Sequence, residues 1–124
     1  MKKLFISCPM RGLTRETIKA NIEKMHKIAE IVFDQKLEVI QCYRPVEAAE
    51  GDNQAYLWCL GRSIQMMSEA DYYICVDGFY DYDYTGYCIE NNVAHNYGLR
   101  TYLVDVHVLS LPKKEIHYET LTNK

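Results

Sequence analysis

Glu90 follows Gly86 by four residues and precedes Gly98 by eight, in the stretch Gly86-Tyr87-Cys88-Ile89-Glu90. A carboxylate at such a place has two readings. Near the start of a helix it is a charge stabilised by the positive end of the helix dipole. Beside the carboxyl end of a strand it is a catalytic group aimed into a cleft, because open α/β sheets bind their ligands at that end. The loop ahead of it, Phe79 to Tyr84, crowds Tyr80, Tyr82 and Tyr84 around the carboxylates Asp81 and Asp83. Tyrosine suits amphipathic binding surfaces, although some of the eleven tyrosines must simply fill the core.

The elements around Glu90 follow from periodicity. Tyr72 to Val76 is a short apolar run of strong strand formers, suited to a strand buried on both faces, and Asp77-Gly78 ends it. Ile89, Val93 and Tyr97 recur at four-residue spacing and predict one helical face. Gly98 stands where a helix ends in the left-handed conformation. Thr101 to Val104 is the next strand.

Earlier in the chain, Leu4 to Ser7 reads as a first strand. Pro9 and Gly12 give Ser7-Cys8-Pro9-Met10-Arg11-Gly12 the chemistry of a turn. Thr14 is a candidate N-cap without the glutamate that completes a capping box. Ile18, Ile22, Met25, Ala29 and Val32 mark an amphipathic helix over about residues 15–33, with Met25 as core. Leu37 to Ile40 is a second strand, and residues 44–53 form a polar loop. Leu57, Leu60, Ile64 and Met67 mark a helix over about residues 54–68, in which Gly61 suggests a close packing partner. Beyond Asp105 the pattern weakens, and residues 105–124 read as an extended or loosely packed extension to a core of 3–104.

The order β-α-β-α-β-α-β with short connections demands an α/β fold, with a mainly parallel sheet of four or five strands between layers of helices. Ligands should then approach the carboxyl ends of the first and third strands, which places Ser7 to Gly12 and Asp77 to Glu90 around one cleft.

A chain of 124 residues with 48% hydrophobic and 25% charged residues is a single soluble domain, 1–124, able to bury a core without staples. A net charge of −3 without a basic block argues against binding a nucleic-acid polymer. The five cysteines, Cys8, Cys42, Cys59, Cys75 and Cys88, are odd in number and widely spaced. They read as free thiols in a reducing cytoplasm, with no zinc site and no disulfide framework. The four histidines are scattered, no metal or cofactor is implied, and no segment reads as a signal peptide or membrane span.

Two pieces, Ser7-Cys8-Pro9-Met10-Arg11-Gly12 after the first strand and Asp77-Gly78 followed by Gly86, Glu90, Ala94 and Gly98, resemble the nucleoside 2-deoxyribosyltransferase superfamily over about residues 3–104. The style is that of its small members in phages and prophages of Gram-positive bacteria. The chain is also similar to the 2′-deoxynucleoside 5′-phosphate N-hydrolases. The resemblance implies a flavodoxin- or Rossmann-like domain and a small nucleoside or nucleotide ligand. It further implies a homodimer or larger assembly, and Glu90 as a nucleophile that forms a glycosyl-enzyme intermediate by the logic of retaining glycosidases. It assigns Ser7, Pro9, Met10, Arg11, Gly12 and Gly86 to the sugar or phosphate cradle. On the enzyme reading Tyr80 to Tyr84 form the base or ligand wall, and Ser63 and Asp77 are further substrate-binding candidates. Arg11 is either a charge-assisted phosphate ligand or a solvated arginine.

Two positions depart from the pattern. Tyr84 stands six residues before the glutamate, where the transferases carry aspartate and the hydrolases serine. Ser63 stands seven residues before Ala70, where a carboxylate often orients or protonates the base. Cleavage of a bond to a base needs protonation of the leaving group. Two expectations therefore stand side by side: an enzyme acting at the N-glycosidic bond of a nucleoside, nucleotide or ADP-ribose-like molecule, and a binder that sequesters a nucleotide, for example a phage protein capturing an immune signalling nucleotide.

Overall fold

The structure, a computed structural model, describes residues 1–10, 12–40, 53–79 and 85–111. Four strands and three helices alternate: β1 (Lys2–Ile6), α1 (Arg15–Val32), β2 (Leu37–Val39), α2 (Asn53–Met67), β3 (Tyr72–Asp77), α3 (Thr85–Asn96) and β4 (Arg100–Asp105). The sheet is all parallel, in the order β2-β1-β3-β4. This is the expected α/β fold. After β1 the chain turns outward to β2, and after β2 it returns past β1 to β3. Right-handed crossovers put α1 on one face and α2 with α3 on the other. The strand order therefore reverses between β1 and β3, and the carboxyl ends of these two strands are where such sheets open a crevice.

β3 is the spine of the core. Its first five residues, Tyr72 to Val76, are buried, as befits a central parallel strand covered on both faces. Leu4, Phe5 and Ile6 lie beside it and are buried with it. Met25 and Ala29 of α1 are fully buried, which bears out Met25 as core. Phe33 stacks on Tyr72 with ring centroids 4.2 Å apart. Thr14 caps α1 by accepting the Thr17 N–H, and Gly98 closes α3 with φ +72. The Gly98 and Leu99 amides donate to the His95 and Ala94 carbonyls, the pair of bonds that closes a helix through a left-handed residue. Among the described cysteines Cys59 and Cys75 are free thiols. Among the described residues no helix is long and apolar enough to cross a membrane.

Several expectations are corrected. Tyr97 does not join the core face of α3 and is 84% exposed; Tyr87 and Ala94 are the residues turned inward. Leu57 is likewise outward on α2, while Ser63 and Met67 are buried. Val32 is exposed, and the buried stripe of α1 runs through Asn21, Met25 and Ala29. Among the described residues a Cβ at Gly61 would meet nothing within 4 Å, so no close partner there explains that glycine. The segment after β4 is not loose in its first part. It forms a single 3-10 turn, Val106–Val108, and then buries Leu109. The Asn21 side chain pins it from α1: its amide donates to the Ser110 carbonyl at 3.0 Å and its oxygen accepts the Ser110 N–H at 3.1 Å. A buried polar group is retained where both ends of it are satisfied, and here it fastens the chain beyond β4 to the opposite layer. The polar loop 44–53 lies outside the described residues except for Asn53, which begins α2.

Asn21→Ala removes both bonds. It should cost about 1–3 kcal/mol in urea denaturation and speed amide exchange at Leu109 and Ser110, while leaving exchange in β3 unchanged.

Candidate functional site

The site is built where β1 stops. In a parallel ladder, alternate residues direct both main-chain groups to the same neighbour. The Ser7 N–H donates to the Ile74 carbonyl at 2.9 Å, so Ile74 and, two residues on, Val76 face β1. Cys8 and then Pro9, which has no N–H to offer, carry the chain away before it reaches Val76. The Tyr87 hydroxyl fills the vacated place. It accepts the Val76 N–H at 2.9 Å and donates to the Val76 carbonyl at 3.1 Å. One side chain of α3 thus completes the main-chain bonding of β3 and fixes the helix over the end of the sheet.

With Tyr87 fixed, helical spacing brings Glu90, Asn91 and Ala94 to the same side. Strand alternation puts Phe5 of β1 and Ser7 just past its end, and Tyr73 and Cys75 of β3, on the sheet face that α3 covers. The two sets meet. Ser7 Oγ donates to Glu90 Oε1 at 2.8 Å, between residues 83 apart in the chain. The Tyr73 hydroxyl donates to Asn91 Oδ1. Asn91 also hydrogen-bonds the Tyr87 hydroxyl, and the Ser7 hydroxyl lies beside that of Tyr73. Ser7 is buried and Glu90 half-buried. The result is a polar seam, Ser7–Glu90 and Tyr73–Asn91–Tyr87, between two apolar layers.

Burial sets the protonation of the seam. It pushes the Tyr73 hydroxyl well above the usual tyrosine range; the Ser7 hydrogen bond opposes this, and the Glu90 charge adds to it. Burial also raises Tyr87, against the bond from Asn91. Both phenols therefore stay neutral donors. Cys75 is pushed up to about 12 by burial, with Asp77 adding to the shift, so it is no thiolate nucleophile.

The expected site residues divide into three groups. Ser7 and Glu90 are brought into contact. Pro9 is buried beside them, Met10 is half-buried and accepts the Leu13 N–H at 3.1 Å, and Gly12 turns the loop with φ +80. Gly86 is the second residue of α3, where among the described residues an added Cβ would meet Leu60, at 3.9 Å. Asp77 is exposed at the end of β3, in register with Asp105 of β4. Ser63 is buried on α2. Arg11, Tyr80 and Tyr84 lie outside the described residues. Tyr73, Tyr87 and Asn91 join the site beyond the residues expected. For Tyr87 and Asn91 the signal is the spacing Tyr87, Glu90, Asn91, Ala94, which puts two polar residues inside the stripe that α3 buries; Tyr73 has no such signal.

A shallow hollow elsewhere, bordered by Lys27, Glu30, Ile31, Asp34, Gln35 and Lys36, lies where α1 runs into β2, at the opposite end of the sheet. Its carboxylate is committed to structure. Glu30 Oε2 accepts the Leu37 N–H at 2.9 Å and lies 3.3 Å from His26 Nε2. The Leu37 bond holds that carboxyl below its ordinary range against a contribution from burial, and the charges of His26 and Lys36 add to the lowering. Among the described residues no three His, Cys, Asp or Glu side chains gather to hold a metal ion. No family model, curated protein or solved structure matches the chain.

Tyr87→Phe keeps the ring and its edge contact with Phe79 but leaves Val76 without its partner. The variant should lose about 1–3 kcal/mol, read as a lower melting temperature. A crystal structure should show α3 displaced and the Ser7–Glu90 contact lengthened.

Proposed function

We propose that the chain cleaves or transfers the N-glycosidic bond of a nucleoside, nucleotide or ADP-ribose-like molecule, with Glu90 as the nucleophile. The observation that supports this reading best is the 2.8 Å bond from Ser7 to Glu90 at the reversal point of the sheet. A carboxylate held from β1 while carried by α3 has a fixed direction, and fixing a reactive group in advance lowers the barrier to attack. In the proposed reaction a Glu90 oxygen attacks the anomeric carbon. The carbon–nitrogen bond breaks, its electron pair leaves with the base, and the base takes up a proton. Water or a second base then attacks the same carbon and releases Glu90. The turn Pro9 to Gly12 would hold the sugar or its phosphate, with Arg11 as the charged partner. Gly86, where an added Cβ would meet Leu60 at 3.9 Å, would lie beside the ligand at the start of the helix. Asp77, Tyr80 and Tyr84 would border the base.

A second reading has one observation in its favour. Ser63, buried on α2, occupies the place where the resemblance calls for an acid, and a serine hydroxyl is a poor proton donor to a leaving base. A pocket that holds a nucleotide without turnover fits that substitution.

We also propose a homodimer or larger assembly acting in a cytoplasm. Leu57 and Trp58 on α2, and Tyr102 and Leu103 on the edge strand β4, expose apolar surface of the kind that subunits cover.

Glu90→Gln keeps shape and hydrogen bonding but removes the nucleophile. Incubated with a panel of nucleosides and nucleotides, wild type should release free base. The variant should bind about as well and lose nearly all turnover. Intact ligand recovered from both proteins would establish the binder, and equal release by both would remove Glu90 from the chemistry. For the assembly, light scattering at micromolar concentration should give at least twice the chain mass of 14.5 kDa.

A further inference from the structure

The core asks of residue 73 only a flat ring. Tyr73 stacks on Phe5 with centroids 5.7 Å apart and planes 10° from parallel, and phenylalanine would stack as well. Its hydroxyl is nevertheless present at a position with no exposure at all. A buried hydroxyl is tolerated where a partner satisfies it, and the identity of the partner carries the argument. The proton goes to Asn91 Oδ1, on the residue next to Glu90 on α3. The Ser7 hydroxyl, which donates to Glu90, lies beside it.

We propose that Tyr73 is a positioning residue for Glu90, acting through Asn91. The inference deepens the reading of Glu90 as the reactive group and rests on it. Ser7 has one proton, and Glu90 receives it. Tyr73 likewise has one, and Asn91 receives it. The bond to Asn91 holds the turn of α3 that carries Glu90 at a set height above β3. Burial keeps Tyr73 protonated, so it remains a donor wherever the rest of the protein is folded. The arrangement also accounts for a polar pair, Glu90 and Asn91, on the sheet-facing side of α3, where apolar side chains would pack more simply.

The test uses the full chain labelled with carboxyl-13C glutamate, in which the Glu90 resonance is identified by its loss in Glu90→Gln. Ser7→Ala sets the shift caused by losing the direct bond. Tyr73→Phe should fold, melt within about 5 °C of wild type, and move the Glu90 resonance in the direction that Ser7→Ala moves it. With whichever nucleoside the wild type turns over, kcat should fall about tenfold, with KM changed by less than about twofold. A Glu90 resonance left in place by Tyr73→Phe, with only the melting temperature lowered, would overturn the proposal and leave Tyr73 a core residue. Should Tyr73→Phe fail to fold, Asn91→Ala cuts the same link from the helix side and must shift the same resonance; an unmoved resonance there overturns the proposal equally. The carboxyl signal needs no turnover. A wild type inactive on every nucleoside would refute the nucleophile while the positioning of Glu90 is still read directly.

Discussion

Everything at the carboxyl end of the sheet depends on β1 ending before β3. Two main-chain groups of Val76 are left facing a strand that has already turned away through Cys8 and Pro9. Main-chain groups buried without partners are costly, so something must take the missing strand's place. Tyr87 does so with one hydroxyl that both accepts and donates. The same divergence opens the crevice between β1 and β3. The need for a partner and the opening of the site are thus one event, and α3 is drawn to it.

Once Tyr87 is seated, α3 has no freedom left about its axis. One turn on, Glu90 and Asn91 must face the sheet, and there they meet Ser7 and Tyr73. Four polar side chains in an apolar layer are retained together because each satisfies another. A seam of this kind holds direction better than apolar packing does, since hydrogen bonds fix angles as well as distances. That property suits a carboxylate whose proposed task is attack along one line. The opposite end of the molecule contrasts with this. Glu30 also bears a carboxylate among polar neighbours, but its bond to the Leu37 amide, with that between His26 Nε2 and the Leu37 carbonyl, fastens α1 to β2.

The far side of the sheet has its own fastening. Asn21 reaches from α1 to the main chain of Ser110, and Leu109 enters the core behind it. The segment after β4 is therefore part of the domain's packing at least as far as that residue. β4 is the edge of the sheet, and its exposed Tyr102 and Leu103 mark the side on which the parallel sheet stops.

The sequence by itself determined the alternation of strands and helices, the parallel sheet, the Thr14 and Gly98 helix ends, and the place of Glu90 near the start of α3. Each of these is a local property, written in the period of the apolar residues or in a single cap or turn residue. It also brought Ser7 and Glu90 to one crevice, because a β-α-β order with right-handed crossovers leaves few topologies. Only the tertiary structure decided which way each helix faced. The apolar spacing of α3 pointed to Tyr97, and that of α2 to Leu57, yet both are exposed. The rotation of α3 was set instead by a hydroxyl bound to the end of a strand, and no periodicity encodes such a bond. Tyr73 was invisible for the same reason. In a run of strand formers a tyrosine reads as a ring, and its hydroxyl acquires meaning only when Ser7 and Asn91, from opposite ends of the chain, arrive beside it.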